Sequence, residues 1–318
     1  MDPNRLKGKN ILITGAAGGI GQALLAEMPN GHDILATDIR QPEGMPESAE
    51  YRPLDVRGDD PEMVIGDWKP EVVVHLASIV TPPKGSTREF EYSVDVEGSR
   101  KVIDACIAHG VRRIVVTSSG AAYGYHVDNP VPLQETDALR GNEEFAYAHH
   151  KRLVEEMLAE ARRERPALEQ VVLRVGTVLG EGIENQITAL FRRDPLLGIR
   201  GSDSPFVFIW TKDLARILLR AATDGPPGIF NVAGDGALGT RDLATALGKK
   251  VRWLSPWLLK LALGIARPLR LSRYGPEQVR FLQFRPVLEN AKLKAEFGYV
   301  PELTSAEVFD LWRKGAGL

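Results

Sequence analysis

The chain has 318 residues, of which 43% are hydrophobic and 26% charged, so it can bury a substantial core. Its net charge of −2 argues against nucleic acid or an anionic membrane as a general partner. The single cysteine, Cys106, cannot form an internal disulfide, which is typical of a reducing compartment. Residues 1–19 lack the apolar run and cleavage site of a signal peptide, and we expect a cytoplasmic protein.

Short apolar runs alternate with helix-like segments through the first 180 residues. We predict strands at 10–15, 32–38, 50–56, 71–78, 112–119 and 170–180, and helices at 19–28, 91–110 and 143–164. Continuously apolar strands separated by helices indicate a parallel sheet that is covered on both faces. The pattern therefore predicts an α/β protein with a Rossmann-type, doubly wound parallel sheet.

The pattern changes after about residue 180, where Gly and Pro interrupt the sequence. We therefore predict a main domain at 1–180 and a smaller C-terminal region at 181–318. The segment 228–234 predicts one more strand that returns to the main sheet. Residues 253–271 are apolar but contain three cations and two prolines, so they make a poor spanning helix. We favour an amphipathic lid or dimer helix there, with membrane contact as the alternative.

A glycine turn, TGAAGGIG, joins the first strand to the first helix. Such a turn needs positive φ, close approach of the backbone to a pyrophosphate, and the free N–H groups of a helix N-terminus. In this position the pattern predicts a dinucleotide site. Its residues are Gly15, Gly18, Gly19, Ile20 and Gly21.

Asp38 ends the second strand, about twenty residues after the glycines. A carboxylate there can accept both hydroxyls of an adenosine ribose and would repel a 2′-phosphate, which favours NAD over NADP. Arg40 could instead pair with a 2′-phosphate. Asp55 and Val56, at the end of the predicted third strand, are candidates for the adenine edge, although Asp55 could equally be a turn residue.

The heptapeptide FAYAHHK places Tyr147 and Lys151 four residues apart, on one face of a helix. An ammonium near a phenol favours the phenolate, so we expect a lowered tyrosine pKa and a usable acid/base. Taken alone, the pair could equally be an ordinary helix surface.

The histidines do not form a metal site. His149 and His150 are adjacent and face different sides of the helix, and no Cys/His/Asp cluster has ligand spacing. We expect both to be solvent or interface residues. His75, in the fourth strand, is expected to be a core histidine rather than a base.

Four motifs occur in order along the chain, and weaker ones follow. They are TGAAGGIG at 14–21, HLAS at 75–78, VVTSSGAAYG at 115–124 and YAHHK at 147–151, then RVGTVLG at 174–180, FIWTKDLAR at 208–216, FNVAG at 230–234 and a tail beginning RPVLEN at 285. Together they resemble the extended branch of the short-chain dehydrogenase/reductase superfamily. That branch includes sugar-nucleotide epimerases and dehydratases and 3β-hydroxysteroid dehydrogenases.

The resemblance implies a catalytic set of Ser119, Tyr147 and Lys151, with Lys151 also bonding the nicotinamide ribose. It implies that Leu76 and Ala77 line the cofactor. It further implies that the main domain binds NAD, that the C-terminal region binds a small-molecule substrate, and that the protein is a homodimer. We expect no nucleic acid partner and no stable membrane insertion.

Several positions depart from the sugar-nucleotide pattern. Phe206 stands near the position of a usual arginine, Trp210 replaces a histidine, and Asp95 stands where asparagine is common. An apolar substrate mouth or ordinary core packing would both explain the aromatic residues Phe206, Phe208, Trp210, Trp253 and Trp257. Phosphate binding or a solvated surface would both explain the arginines Arg192, Arg193 and Arg200.

The leading prediction of function is an NAD-dependent oxidoreductase that acts on a secondary alcohol or ketone. The first alternative is a sugar or nucleotide-sugar epimerase or dehydratase that retains NAD. The second is a non-catalytic NAD-sensing protein, against which the retained Tyr–Lys pair argues.

Overall fold

The computed structural model of the protein describes residues 8–83, 85–181, 183, 185–269, 271 and 275–318. Its strands are β1 (Asn10–Thr14), β2 (Asp33–Asp38), β3 (Ala49–Pro53), β4 (Val72–His75), β5 (Arg113–Ser119), β6 (Glu169–Val175), β7 (Thr177–Leu179), β8 (Leu196–Ile199), β9 (Phe208–Trp210), β10 (Gly228–Val232) and β11 (Val251–Leu254). Its helices are α1 (Gly19–Glu27), α2 (Asp60–Trp68), α3 (Arg88–Tyr92), α4 (Gly98–Ala108), α5 (Ala146–Glu164), α6 (Gln186–Phe191), α7 (Thr211–Ala222), α8 (Thr240–Leu247), α9 (Pro256–Ala266), α10 (Gln278–Gln283) and α11 (Ser305–Gly315).

Seven strands form one parallel sheet in the order β10-β6-β5-β4-β1-β2-β3. The strands are apolar because both faces are covered. Ile11 and Ile13 pack into the core beside α1 and α7, whereas Leu12 packs into the core beside α4 and α5. The predicted doubly wound α/β sheet is confirmed. The order reverses between β1 and β4, which is where such sheets open a ligand crevice.

Several predicted boundaries were wrong. β4 ends at His75 rather than at residue 78, because its partner β1 ends at Thr14 and the chain turns away over the glycine turn. β3 ends at Pro53 rather than at 56, and α5 begins at Ala146 rather than at 143. The predicted helix at 91–110 is divided into α3, a π-helical turn at 93–97, and α4.

The predicted sixth strand is two strands. β6 stays in the main sheet, while β7 pairs with β9 in a separate two-stranded sheet. The break falls at Gly176, whose N–H donates to the carbonyl of Val232 at 2.9 Å. α2 was not predicted, since its short sequence has weak apolar periodicity. β10 pairs with β6, as expected for the returning strand.

A second core, built around an aromatic cluster, lies among β7, β8, β9, α6, α8 and α11. Phe191 makes edge contacts with Phe206, Phe208 and Phe309, and Trp312 closes the cluster. β8 pairs with β11 beside this cluster. Across the part of the chain that the structure describes, no helix combines the length and apolarity needed to cross a membrane.

Candidate active site

A cleft of about 550 Å³ lies at the carboxyl ends of the central strands. Its walls come from the loops that follow β1, β4, β5 and β6, from the start of α5, and from residues 278–288. The cleft therefore lies where the strand order reverses, between β1 and β4. Crevices at this position are the usual ligand sites of open α/β sheets.

The glycine turn forms one end of the cleft. Gly15 has φ of +70°, and a Cβ built there would lie 2.6 Å from the Ala77 nitrogen. A Cβ on Gly21 would lie 2.5 Å from the Gly15 carbonyl oxygen. The helix α1 begins beside Gly18 with no side-chain cap, so its first N–H groups are available to a ligand. Of the predicted turn residues, Gly15, Gly18, Gly19, Ile20 and Gly21 all line the cleft. The turn fits the pyrophosphate of a dinucleotide.

Asp38 lies beside this turn, at the end of β2. Its Oδ2 accepts a hydrogen bond from the Ala17 N–H at 3.1 Å, and its Oδ1 accepts one from the Arg40 N–H at 3.2 Å. The carboxylate is partly exposed, so lone pairs remain for two ribose hydroxyls. Arg40 is exposed.

The other predicted adenine-side residues are placed differently. Asp55 forms an ion pair with Arg57, which lowers the pKa of the Asp55 carboxyl through a hydrogen bond. Val56 is buried against Gly98. In the described parts of the chain, neither residue lines the cleft. Leu76 does line it, whereas Ala77 lies behind it, against Gly15.

Ser119, Tyr147 and Lys151 meet on one wall of the cleft. Ser119 ends β5, and Tyr147 and Lys151 lie one turn apart on α5. The Lys151 Nζ donates to the Thr117 carbonyl at 2.9 Å and lies 5.6 Å from the centroid of the Tyr147 ring. A hydrogen bond with Ser119 acts to lower the pKa of Tyr147, and burial acts to raise it.

Burial wins, and the pKa of Tyr147 rises to about 12. The expected lowering was therefore wrong. The Lys151 ammonium does not offset this rise, because it lies over the Tyr147 ring and bonds a backbone carbonyl. Burial lowers the pKa of Lys151 itself, and the charges of Asp95 and Glu155 oppose that shift.

Sequence reasoning missed a buried pair of Asp95 and His150. The His150 Nδ1 lies 2.9 Å from the Asp95 Oδ2, and the His150 side chain is 1% exposed. The Asp95 Oδ1 accepts from the Ser78 hydroxyl at 3.0 Å and from the Ile79 N–H at 2.7 Å. Asp95 thus fastens a cleft-lining loop to the residue before Lys151. The expectation of a solvent or interface position was wrong for His150, whereas His149 is partly exposed.

His75 is a core histidine, as expected. Its Nδ1 lies 2.8 Å from the Thr14 hydroxyl, and its Nε2 lies 2.9 Å from the Ser99 hydroxyl. Burial and the charge of Lys151 lower its pKa to about 3. His75 is therefore neutral at any ordinary pH and is no acid/base in this site. No group of three or more His, Cys, Asp or Glu side chains with metal-binding geometry occurs among the described residues.

A buried ion pair between Arg174 and Glu155 lies behind the cleft wall that carries Tyr147 and Lys151. Arg174 on β6 contacts both carboxylate oxygens of Glu155 on α5, with its Nη2 2.8 Å from Oε2. The Ser118 hydroxyl also donates to Glu155. Arg174 donates in addition to the Tyr123 hydroxyl at 2.7 Å. This network locks α5 to the sheet one turn beyond Lys151.

The far end of the cleft holds a cation that sequence reasoning also missed. The Arg285 guanidinium lies 3.7 Å above the Phe206 ring and 5.4 Å from the Phe281 ring. It donates to the Ser204 carbonyl, but its buried Nε has no hydrogen-bond partner among the described residues. Burial lowers its pKa to about 9. Within the described ranges no carboxylate pairs with it, so Arg285 is available to an anionic ligand.

Most of the aromatic residues and arginines that the sequence suggested for the substrate region lie outside the cleft. Of the five aromatic residues, Phe206 alone belongs to the cleft wall in the described chain, and Phe208 is fully buried in the aromatic cluster. Trp257 is 64% exposed on α9. The predicted arginines Arg192, Arg193 and Arg200 are exposed and lie outside the cleft. Nothing in the sequence marks Arg285 as a cleft residue, because an arginine that precedes a proline is equally common on a protein surface.

The chain is similar to known proteins in sequence and in fold. It is 26% identical over 321 residues to an uncharacterized protein of Mycobacterium tuberculosis, a match that covers 98% of this chain and 85% of that one. Its fold resembles UDP-glucose 4-epimerase of Thermotoga maritima (TM-score 0.75, 20% identity, 97% and 98% covered) and MoeE5 in complex with UDP-glucose and NAD (TM-score 0.74, 21% identity, 97% and 98% covered). A family model described as NAD dependent epimerase/dehydratase matches residues 11–233, so the chain belongs to that family and is an NAD-dependent enzyme.

Proposed function

We propose that the protein oxidises a secondary alcohol carbon of a small molecule, or reduces the matching ketone, in this cleft. Tyr147 is the acid/base at the substrate oxygen, Ser119 orients that oxygen, and Lys151 holds the nicotinamide ribose. The pyrophosphate is bound by the glycine turn that lines the other end of the cleft, which comprises Gly15, Gly18, Gly19, Ile20 and Gly21. The convergence of the three side chains on one wall with that turn supports the proposal most directly.

The bound cofactor would accept the hydride as NAD in alcohol oxidation and would donate it as NADH in ketone reduction. The chain's own residues must then move the proton. With a pKa near 12, Tyr147 keeps its proton at neutral pH and is ready to donate it to a carbonyl oxygen. In the reverse direction the alcohol proton passes to Tyr147, and the phenolate that must exist first is favoured by a nearby positive charge. Lys151 supplies that charge within one turn of the helix.

We propose that Asp38 binds the adenosine ribose and that Leu76 and Ala77 border the cofactor. The partly exposed carboxylate beside the glycine turn supports a preference for NAD over NADP. Asp55 and Val56 stay candidates for the adenine side, although the ion pair of Asp55 with Arg57 would have to open or be shared.

We propose further that the region 181–318 binds the substrate and that the substrate carries an anionic group. Arg285 supports this, because its partly buried guanidinium has no carboxylate partner among the described residues and its Nε lacks a hydrogen-bond acceptor. Phe206 and Phe281, on either side of it, would contact an apolar or planar part of the same molecule. A nucleoside-diphosphate sugar satisfies both requirements, and so does an apolar alcohol with a carboxylate or phosphate.

The family and the fold neighbours also favour a second candidate, an epimerase that returns the hydride to the substrate. The two are separated by purified protein and a panel of acidic alcohols, sterol conjugates and nucleotide sugars. An oxidoreductase releases NADH in proportion to product, whereas an epimerase retains NAD and converts the substrate with no absorbance change at the NADH wavelength. If neither product nor NADH forms with any substrate while NAD binds, the catalytic proposal is wrong.

Arg285→Met tests the anion site within the same assay. Loss of a charged hydrogen bond predicts a KM for the acidic substrate raised by roughly 10- to 100-fold, with NAD affinity unchanged. Arg280→Met, a neighbouring exposed arginine that pairs with Glu144, is the matched control and should leave KM unchanged. An Arg285→Met enzyme with the original KM would exclude an anion contact at this residue.

A further inference from the structure

The helix α9 carries an apolar surface that faces solvent. None of its residues is buried. Of the fifteen large hydrophobic side chains exposed in the described parts of the chain, six fall between residues 257 and 271, and the other nine are scattered. These six are Trp257, Leu258, Leu261, Ile265, Leu269 and Leu271. Such a concentration marks a binding surface rather than ordinary surface composition.

The exposed side chains share one side of the helix. Trp257, Leu258, Leu261 and Ile265 fall within roughly 100° of arc at the helical period of 3.6 residues per turn. Leu259 and Leu263, on the opposite side, are partly buried, and α9 contacts α10. The apolar surface therefore points away from the rest of the protein.

The same segment is strongly basic. Residues 243–276 contain seven Lys and Arg and no Asp or Glu, although the whole chain has a net charge of −2. Lys260 and Arg252 are exposed, and Arg267 is 59% exposed with Glu277 as a partial partner at 3.4 Å. The total charge is balanced and argued against an anionic membrane. Locally, however, exposed basic side chains accompany the apolar surface of α9.

We propose that α9 docks the protein on an anionic lipid surface. Basic and apolar side chains together on a short helix match the headgroup boundary of a bilayer with acidic lipids. A second copy of the chain fits less well, because a symmetric contact would bring two like-charged surfaces together. The helix has 11 residues, about 16 Å in length, so it lies along the surface instead of crossing a core of about 30 Å.

The position of α9 gives this docking a consequence for the cleft. α9 contacts α10, and the α10 residues Gln278 and Phe281 line the far end of the cleft, near Arg285. A lipid surface at α9 would therefore lie next to the end of the cleft that we assign to the substrate. The docking itself does not depend on the proposed reaction.

Sedimentation of the full chain with vesicles tests the proposal. Vesicles of phosphatidylcholine with phosphatidylglycerol should bind the protein, vesicles of phosphatidylcholine alone should bind it at least about tenfold more weakly, and added salt should weaken the binding. The variant Trp257→Ser/Leu261→Ser/Ile265→Ser should lose at least about tenfold in affinity, since buried apolar area drives insertion at the interface.

The control variant is Val127→Ser/Val131→Ser/Val300→Ser, which removes three side chains that are as exposed elsewhere. It should bind vesicles like the original protein, and unchanged melting temperatures should show that both variants fold. The proposal is overturned if the acidic vesicles do not bind the protein at low salt, if they bind no better than neutral ones, or if the α9 variant binds equally well. It is also overturned if sedimentation equilibrium finds a dimer that only the α9 variant abolishes, since a second copy would then cover the surface.

Discussion

His75 should make the protein sensitive to acid. The Ser99 hydroxyl also donates to the Asp95 carbonyl, so it must accept from His75, which puts the single ring proton on Nε2. Nδ1 then accepts from Thr14. A second proton on Nδ1 would break that bond inside the core and would face the charge of Lys151. The folded protein therefore resists protonation of this ring.

The size of the effect follows from the two pKa values. His75 has a pKa of about 3 in the folded state and an ordinary value of 6.5 in the unfolded chain. Below pH 6.5 the unfolded state binds more protons, so the free energy of unfolding falls as the pH falls toward 3. Between about pH 7.5 and about pH 5 the loss from this ring alone is roughly 2 kcal/mol.

Urea unfolding, followed by circular dichroism at both pH values, measures this loss. Carboxylates also titrate in this range, so the comparison is with His75→Gln, which cannot titrate. The variant loses hydrogen bonds to the same extent at both pH values, so it should be less stable at pH 7.5 but should lose roughly 2 kcal/mol less on acidification. Equal losses in the two proteins would refute the assignment of a neutral, proton-resistant His75.

Three further replacements test the site. Tyr147→Phe should lower kcat by at least about 100-fold while NAD affinity stays nearly constant, as measured by calorimetry, and retained turnover would exclude Tyr147 as the acid/base. Asp38→Ala should weaken NAD binding by roughly tenfold or more and NADP binding less, whereas equal losses would count against the ribose contact. Glu155→Ala leaves the buried Arg174 without a carboxylate partner and should lower the free energy of unfolding by roughly 3–5 kcal/mol. The double variant Glu155→Met/Arg174→Met should recover most of this loss, and a loss near zero for the single variant would contradict the network.

The parts of the site that sequence predicted are local ones. The glycine turn and the Tyr147–Lys151 spacing each lie within one segment, and their geometry follows from a turn or a helical period. Their protonation was not predictable in the same way, since the pKa of Tyr147 depends on burial by distant segments. Spacing gives the direction of two side chains and says nothing of how much solvent reaches them.

The parts that sequence missed depend on contacts between distant segments. Asp95 and His150 are 55 residues apart, and a π-helical turn carries Asp95 into the interior. Arg285 lies 79 residues after Phe206, and only the fold brings them together. Strand ends were misjudged for a related reason. An apolar run continues past His75, but β4 ends there, at the residue paired with Thr14, the last residue of β1.

The place of β10 in the sheet has a consequence for synthesis of the protein. β6 lies between β5 and β10, so its outer edge is satisfied only by residues that emerge more than fifty positions later on the nascent chain. A fragment ending near residue 180 would present that edge, with apolar Val171 and Leu173, to any other chain. Expression of the first 180 residues alone should therefore give aggregates, although they contain the whole glycine turn and all three proposed catalytic side chains.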